Sequence, residues 1–189
     1  MLFGMSLHTY TLIHVAISLV GIVAGLIVLF GMLSGNALNG MTSLFLFTTG
    51  LTSVTGFGFP FKQLEPPHIV GIITLVVVLL AILARYKFQL AGKWRATYVI
   101  TAVMALYFNF FVLVVQGFLK VPALHALAPN GKEPPFAIAQ GIVLVLFITL
   151  EVVAMKRFHP DSKTQAPPRD CPGFPGKKAD RCPGTVLLC

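Results

Sequence analysis

The first 61 residues of this chain contain no Asp, Glu, Lys or Arg. Charged residues are almost never buried in soluble proteins and must cover their surface, so a soluble fold of this size cannot hide so long an uncharged and mostly apolar stretch. Composition points the same way, because 56% of the 189 residues are hydrophobic and only 11% are charged. The sequence therefore predicts an integral membrane protein.

Five apolar segments are long enough to cross a bilayer. Because the hydrocarbon core offers no hydrogen-bond partners, a spanning segment is either a helix of about 20 apolar residues or a strand of a closed barrel. The apolar residues here are continuous rather than alternating, which excludes a barrel. We predict an all-α bundle of five transmembrane helices. The spans lie at about residues 7–33, 38–57, 68–84, 96–119 and 136–155.

The basic residues predict the orientation of these spans. Five spans place the two termini on opposite sides, and cytoplasmic loops are enriched in Lys and Arg. Eleven of the 14 Lys and Arg residues lie between spans three and four or after span five, whereas three lie on the other side. We expect an outer N-terminus and an inner C-terminus in a multi-pass protein of the cell inner membrane. The net charge of +8 is explained by this bias and by anionic lipid, so it implies no nucleic-acid partner.

The composition changes abruptly after the fifth span. Six of the 13 prolines lie in the last 31 residues, mixed with charged residues and glycines. Such a segment cannot bury enough apolar surface to offset its ordering entropy. We therefore predict a transmembrane domain over residues 1–157 and a disordered cytoplasmic tail over residues 158–189. The three cysteines, at positions 171, 182 and 189, have a spacing that matches no common zinc pattern.

Polar side chains within the predicted spans gather toward the outer side. Such groups are costly at membrane depth and usually face the bundle interior or a wet cavity. In span one, Thr11, His14 and Ser18 follow steps of three and four residues and share one helical face. We therefore expect a polar pocket that opens to the outer side, although Ser and Thr hydroxyls in helices often bond only to carbonyls of their own helix. The candidate lining residues are Thr11, Ser18, Thr52, Ser53, Thr55, Asn109, Gln116 and Gln140.

His14 and His68 are the sharpest candidates for ligand binding. His14 lies about two turns into span one and His68 opens span three, so the imidazoles would face each other if these spans are neighbours. Two histidines from two helices can ligate b-type haem, and a further ligand from His8 or His125 would make a zinc or copper site. The alternatives are a hydrogen-bonded histidine at a helix interface and a histidine that handles protons or substrate. An electron carrier across the membrane would need a second, inner histidine pair, which the sequence lacks.

Glu151 is the only acidic residue within a predicted span. It lies about one turn from the inner end of span five, close to Lys156. Two roles are open for it. In the first, the Glu151 carboxylate lies at the membrane interface, where it pairs with a basic residue or extends to the water. In the second, it takes up and releases protons as part of the function.

Four segments carry a family resemblance. They are LFLFTTGLTSVTGFGFPF at 44–61, PHIVGII at 67–73, VPAL at 121–124 and EPPF at 133–136. Together they resemble a group of small bacterial membrane proteins with no assigned activity, over about residues 7–157. The resemblance implies a bacterial inner-membrane location and assigns no role to any residue.

The sequence contains no recognisable catalytic motif, which favours a non-enzymatic protein. The leading hypothesis is a membrane protein whose outer pocket binds a metal, b-type haem or a small ligand. The first alternative is an accessory or scaffold subunit of a larger membrane complex, in which the same residues only pack. The second is a small transporter or membrane redox component, which is weakened by the absence of repeats and of paired, broken half-helices.

Overall fold

The computed structural model describes residues 6–58, 66–129 and 133–159, and every regular element within these ranges is helical. The third helix continues into a π-helical turn, Leu83–Lys87. The predicted tail lies outside the described residues, apart from its first two positions. The helices are α1 (Leu7–Leu33), α2 (Asn39–Gly56), α3 (Pro66–Ile82), α4 (Lys93–Lys120), α5 (Pro122–Leu127) and α6 (Pro134–Arg157).

Four helices are long and apolar enough to cross a membrane. They are α1, α4, α6 and the continuous helical segment His68–Lys87, which joins α3 to its π-helical turn. The predicted span at 38–57 corresponds to α2, which is helical but less apolar than the other four, because seven of its 18 residues are Ser or Thr. The fold is therefore an all-helical bundle of the multi-pass membrane type.

Contacts between helix ends show that successive long helices run antiparallel. The Tyr10 hydroxyl, near the start of α1, donates to the Thr55 carbonyl near the end of α2 at 2.7 Å. Phe57, just after α2, has its ring centroid 6.0 Å from that of His68 at the start of α3. We call this the pocket end of the bundle, where α1, α3 and α6 begin and α2 and α4 end.

The opposite end carries most of the positive charge of the described residues. There Arg85, in the π-helical turn, donates a hydrogen bond to the side-chain oxygen of Asn39 at the start of α2. The ring of Tyr98, near the start of α4, lies 5.9 Å from the ring of Phe158, just after α6. We call this the basic end. Its basic residues are Arg85, Lys87, Lys93, Arg95, Lys156 and Arg157.

A tightly packed apolar layer separates the two ends. Phe45 of α2 and Leu106 of α4 are each 1% exposed, and both contact α1 at Gly25. A Cβ atom at Gly25 would lie 2.6 Å from Leu106 Cδ1 and 2.8 Å from Phe45 Cε2. Small residues let helix backbones approach closely in membranes, and here the approach requires glycine.

The apolar side chains on the outside of the bundle form the surface expected against lipid. In α6 only 6% of the apolar window is buried, against 33–44% in the other three spanning helices. Apolar exposure of this extent is not tolerated in water but is normal for a helix in contact with acyl chains. This outer surface is therefore suited to contact with a lipid bilayer.

Candidate functional site

A cavity of about 150 Å³ lies at the pocket end, between α1, α2, α3 and α4. Each of the four helices contributes at least one hydrogen-bonding side chain to its wall. The larger apolar side chains of the wall are Phe57, Val70, Phe108 and Val112. The polar lining residues are His14, Ser18, Thr52, Ser53, His68, Thr74, Asn109 and Gln116.

The cavity brings together most of the residues that were selected from the sequence. Both His14 and His68 line it, together with five of the eight candidate lining residues, Ser18, Thr52, Ser53, Asn109 and Gln116. These residues come from helices far apart in the chain, which meet because the bundle is antiparallel. The periodic polar face of span one thus lies against the hydroxyl-rich span two.

Three candidate residues do not line the cavity. The Thr11 hydroxyl donates to the Leu7 carbonyl of its own helix at 2.9 Å. The Gln140 side chain donates to the Phe111 carbonyl of α4 at 3.2 Å and so joins α6 to α4. Thr55 lies one layer behind the cavity wall, where it holds His14. Thr11 and Gln140 therefore bond to backbone carbonyls and Thr55 bonds to His14, and none of the three faces the cavity.

Thr74 is a lining residue that was not predicted from the sequence. It is 3% exposed, and its hydroxyl donates to the Val70 carbonyl at 2.7 Å. Thr74 lies six residues after His68, which does not place the two side chains on one helical face. In addition, a single hydroxyl in an apolar span usually bonds only to its own helix. The available signal was that Thr74 is the only hydroxyl between His68 and Ala84.

The orientation of the His14 ring is fixed by Thr55. The Thr55 hydroxyl donates to the Leu51 carbonyl at 2.8 Å, and His14 Nδ1 lies 2.8 Å from the same hydroxyl oxygen. Since a hydroxyl has one proton to donate, the Thr55 oxygen accepts from Nδ1–H of the imidazole. In that tautomer Nε2 is the acceptor nitrogen of the ring. The imidazole of His14 and the hydroxyl of Thr55 therefore form one connected polar pair.

Asn109 forms the floor of the cavity, and Thr49 lies behind it. Asn109 Nδ2 donates to Thr49 Oγ1 at 3.1 Å, and Thr49 is fully buried. Above this floor, Thr52 Oγ1 is buried and has no hydrogen-bond partner among the described residues. A buried, unsatisfied hydroxyl costs about 1–3 kcal/mol unless a water molecule or a ligand satisfies it.

The described lining carries no fixed charge. None of these lining residues is Asp, Glu, Lys or Arg, and the two histidines are its only ionisable groups. Burying a charged ligand without an opposite charge is strongly unfavourable. The chemistry of the cavity therefore suits an uncharged molecule that donates and accepts hydrogen bonds.

The predicted zinc or copper site, in which His8 or His125 would join His14 and His68, is not formed within the described parts of the chain. His8 and His125 are exposed and do not line the cavity. His14 lies six positions after His8, which places their side chains about 120° apart around α1. His125 lies on α5, beyond the end of α4. Within residues 6–58, 66–129 and 133–159, no three His, Cys, Asp or Glu side chains are close enough to hold a metal ion.

The volume of the cavity gives no support to b-type haem as its ligand. A cavity of about 150 Å³ matches the size of one that holds a single benzene molecule. A haem macrocycle is several times larger than benzene. The cavity beside His14 and His68 has the volume of a much smaller molecule.

Glu151 is separate from the cavity. It is half-buried in the last third of α6, a helix that contributes no residue to the cavity wall. Its position is nearer the basic end than the pocket end. A proton-coupled role for Glu151 would therefore not involve the cavity directly.

No protein-family model, curated protein or solved structure matches this chain. The basis for a functional proposal is therefore the cavity itself.

Proposed function

We propose that this multi-pass membrane protein binds a small, uncharged, hydrogen-bonding molecule in the cavity between α1, α2, α3 and α4. The observation that carries the proposal is the convergence of polar side chains from four helices on one cavity without a fixed charge. The buried Thr52 hydroxyl, which has no partner among the described residues, supports it. Because an unpaired buried hydroxyl is costly, a water molecule or a ligand that bonds to Thr52 would stabilise the bundle.

The volume of the cavity limits the size of the ligand. Water occupies about 30 Å³ per molecule in the liquid, so the cavity has room for about five water molecules. A solute with only a few non-hydrogen atoms would displace this water. The hydroxyl, carboxamide and imidazole groups of the wall would then replace the hydrogen bonds lost with the water.

Cysteine accessibility tests whether the cavity is hydrated. The three native cysteines are replaced by Ser, and Ser18→Cys or Thr52→Cys is introduced; Val23→Cys, on the exposed face of α1, is the control. The probe is methyl methanethiosulfonate, which is small and uncharged and reacts with the thiolate. We expect both cavity cysteines to react at least about tenfold faster than the control, because a thiolate forms only where water reaches it.

Competition then tests binding. Acetamide and urea are hydrogen-bonding solutes of the right size, and millimolar amounts should slow labelling of Ser18→Cys, which keeps the Thr52 hydroxyl, without slowing the control. Equal labelling rates for cavity and control positions would refute the hydrated cavity. Fast labelling that neither solute slows would refute binding of this ligand class.

We also propose that α2 is the fifth span and that the N-terminus is outside. The seven hydroxyls of α2 do not prevent insertion where they bond to their own helix, as Ser53 does to the Thr49 carbonyl at 3.0 Å. The helix is about 27 Å long at 1.5 Å per residue, close to the thickness of the hydrocarbon core. The distribution of basic residues supports an inner C-terminus, and the family resemblance supports a bacterial inner membrane.

The native cysteines test this orientation. All three lie after residue 170, so they would be inside the cell. A membrane-impermeant maleimide should label them in permeabilised cells and leave them unlabelled in intact cells. Labelling in intact cells would reverse the orientation and place the pocket end on the cytoplasmic side.

A second candidate function is that of a subunit in a larger membrane complex. The observation that favours it is the exposure of α6, where Ala137 and Gly141 lie four residues apart on the same exposed face. Small residues at this spacing allow close packing of two helices in a membrane. We expect Gly141→Leu to release such a partner from the purified protein. A monodisperse monomer in mild detergent would count against this role.

A further inference from the structure

A buried arginine lies at the basic end, far from the cavity. Arg85 is 5% exposed, and its Nη2 donates to the side-chain oxygen of Asn39 at the start of α2. Its guanidinium carbon lies 5.1 Å from the centroid of the Tyr98 ring. The second terminal nitrogen, Nη1, is buried and has no hydrogen-bond partner in the described parts of the chain.

The positive charge of Arg85 has no opposite charge among the described residues. The only acidic residues there are Glu133 and Glu151, and neither forms an ion pair with Arg85. Buried charges are normally paired, because removing an ion from water costs several kcal/mol. The Tyr98 ring attracts the cation, and Nη1 remains without a hydrogen bond to the described residues. The structure therefore leaves an acceptor and a negative charge to be supplied.

The first turn of α2 adds donors beside this guanidinium. The cap residue Leu38 has no side chain that can accept a hydrogen bond, and the first backbone bond of the turn runs from Thr42 to Leu38. The backbone N–H groups that precede Thr42 in α2 have no partners within the helix, and they form its positive dipole end. A Cβ atom at Gly40 would meet nothing within 4 Å, so the turn has open space around it.

The π-helical turn brings two further groups to the same place. Tyr86, next to Arg85, has its hydroxyl 2.6 Å from that of Ser43, one turn into α2. Single π-helical turns in α-helices are frequent at functional sites. Here the turn places a guanidinium and a phenol from adjacent positions against the same helix start.

We propose that Arg85 and the first turn of α2 bind the phosphate group of an anionic ligand. The guanidinium fork matches two phosphate oxygens, and a helix N-terminus binds phosphate through its N–H groups. Asn39 is exposed, so its carboxamide can turn aside and a phosphate oxygen can replace its oxygen at Nη2. The phosphate belongs either to a phospholipid headgroup or to a soluble phosphate ester. Binding here does not depend on the cavity at the pocket end.

The surrounding charge favours such a ligand. Lys87 ends the π-helical turn and Lys93 and Arg95 lie in the first turn of α4, and no acidic residue lies between them in the chain. Clustered basic residues raise the local concentration of anions and of anionic headgroups. They act at long range, whereas Arg85 would contact the phosphate directly.

The experiment measures binding to the full chain in a neutral, phosphate-free detergent. The soluble probe is glycerol 1-phosphate, and the lipid probe is phosphatidylglycerol in mixed micelles. Each is titrated while thermal unfolding is followed by circular dichroism, since a ligand that binds the folded state raises Tm. The test variant is Arg85→Gln. The control is Lys87→Gln, which removes the same charge from an exposed side chain two residues away.

We expect at least one probe to raise the Tm of the wild type saturably. Arg85→Gln should weaken its apparent Kd by about tenfold or more, the effect of losing a charge-assisted hydrogen bond, and Lys87→Gln by less than about threefold. A response to glycerol 1-phosphate identifies a soluble ester, and a response to phosphatidylglycerol alone identifies a headgroup. No saturable response to either probe, or equal losses in the two variants, would overturn the proposal.

A second variant keeps the test decisive if Arg85→Gln does not fold. Arg85→Lys retains the charge and the length of the side chain but loses the two-nitrogen fork. We expect it to bind the same probe several-fold more weakly than Lys87→Gln does. Wild-type affinity in Arg85→Lys would contradict direct recognition by the guanidinium.

Discussion

The apolar layer below the cavity gives a quantitative prediction for Gly25→Ala. The substitution adds one methyl group at a point where α1 meets α2 and α4. That methyl carbon would lie within 3 Å of atoms of Leu106 and Phe45, each 1% exposed. Both side chains are packed among buried neighbours, so making room for the methyl group shifts either these side chains or the helices.

The size of the effect follows from two opposing terms. Replacing Gly by Ala within a helix stabilises the helix by about 1 kcal/mol. Overpacking a filled core by one methyl or methylene group typically costs about 1–3 kcal/mol. Gly141→Ala is the matched control, because a Cβ atom there would meet nothing within 4 Å. We therefore expect Gly25→Ala to be less stable than Gly141→Ala by about 1–3 kcal/mol.

The assay is equilibrium unfolding in mixed micelles with increasing dodecyl sulfate, followed by far-UV circular dichroism. The comparison between the two variants removes the helix-propensity term, since both replace a helical glycine. A Gly25→Ala protein as stable as Gly141→Ala would refute the close approach at this layer. The separation of the cavity from the basic end would then need another explanation.

Two further substitutions test the packing at each end. Thr55→Val removes the hydroxyl that holds His14, and we expect a loss of about 1 kcal/mol in unfolding free energy. The control is Thr149→Val, which should change stability little, because the Thr149 hydroxyl bonds only to its own helix. Phe158→Ala removes a ring that is 1% exposed against Tyr98, with an expected loss of about 3 kcal/mol by the same unfolding assay. A loss below about 1 kcal/mol would contradict the docking of Phe158 into the basic end.

Much of the candidate site follows from helical periodicity and depth. Residues at steps of three and four must share a face, so the amino-acid sequence alone assigns His14 and Ser18 to one surface of α1. Polar groups at the same depth in other spans then converge because antiparallel helices of similar length align their ends. Most of the cavity lining is predictable in this way, although Thr11 and Gln140 bond elsewhere.

The remaining features depend on pairings that periodicity does not specify. In the sequence, Arg85 is only one of the eleven charges that predict the orientation. Its burial depends on the π-helical turn and on the position of α2, neither of which has a sequence signature. The metal site failed for a related reason, because equal depth places His8 and His125 near the pocket end but does not aim them at His14.

The two proposed sites should act independently, and one labelling experiment tests this. Asn39 and Thr52 are 13 residues apart on α2, which corresponds to about 20 Å along the helix. The layer around Gly25 lies between them, and mutations so far apart without shared partners are usually additive. We therefore expect Arg85→Gln to leave the labelling rate of Thr52→Cys within about twofold of its value in the parent protein. Gly25→Ala should change this labelling rate, because the floor of the cavity rests on the layer around Gly25. A large effect of Arg85→Gln on labelling would show that the ends are coupled through the bundle, which is the behaviour of a transporter rather than of two separate binding sites.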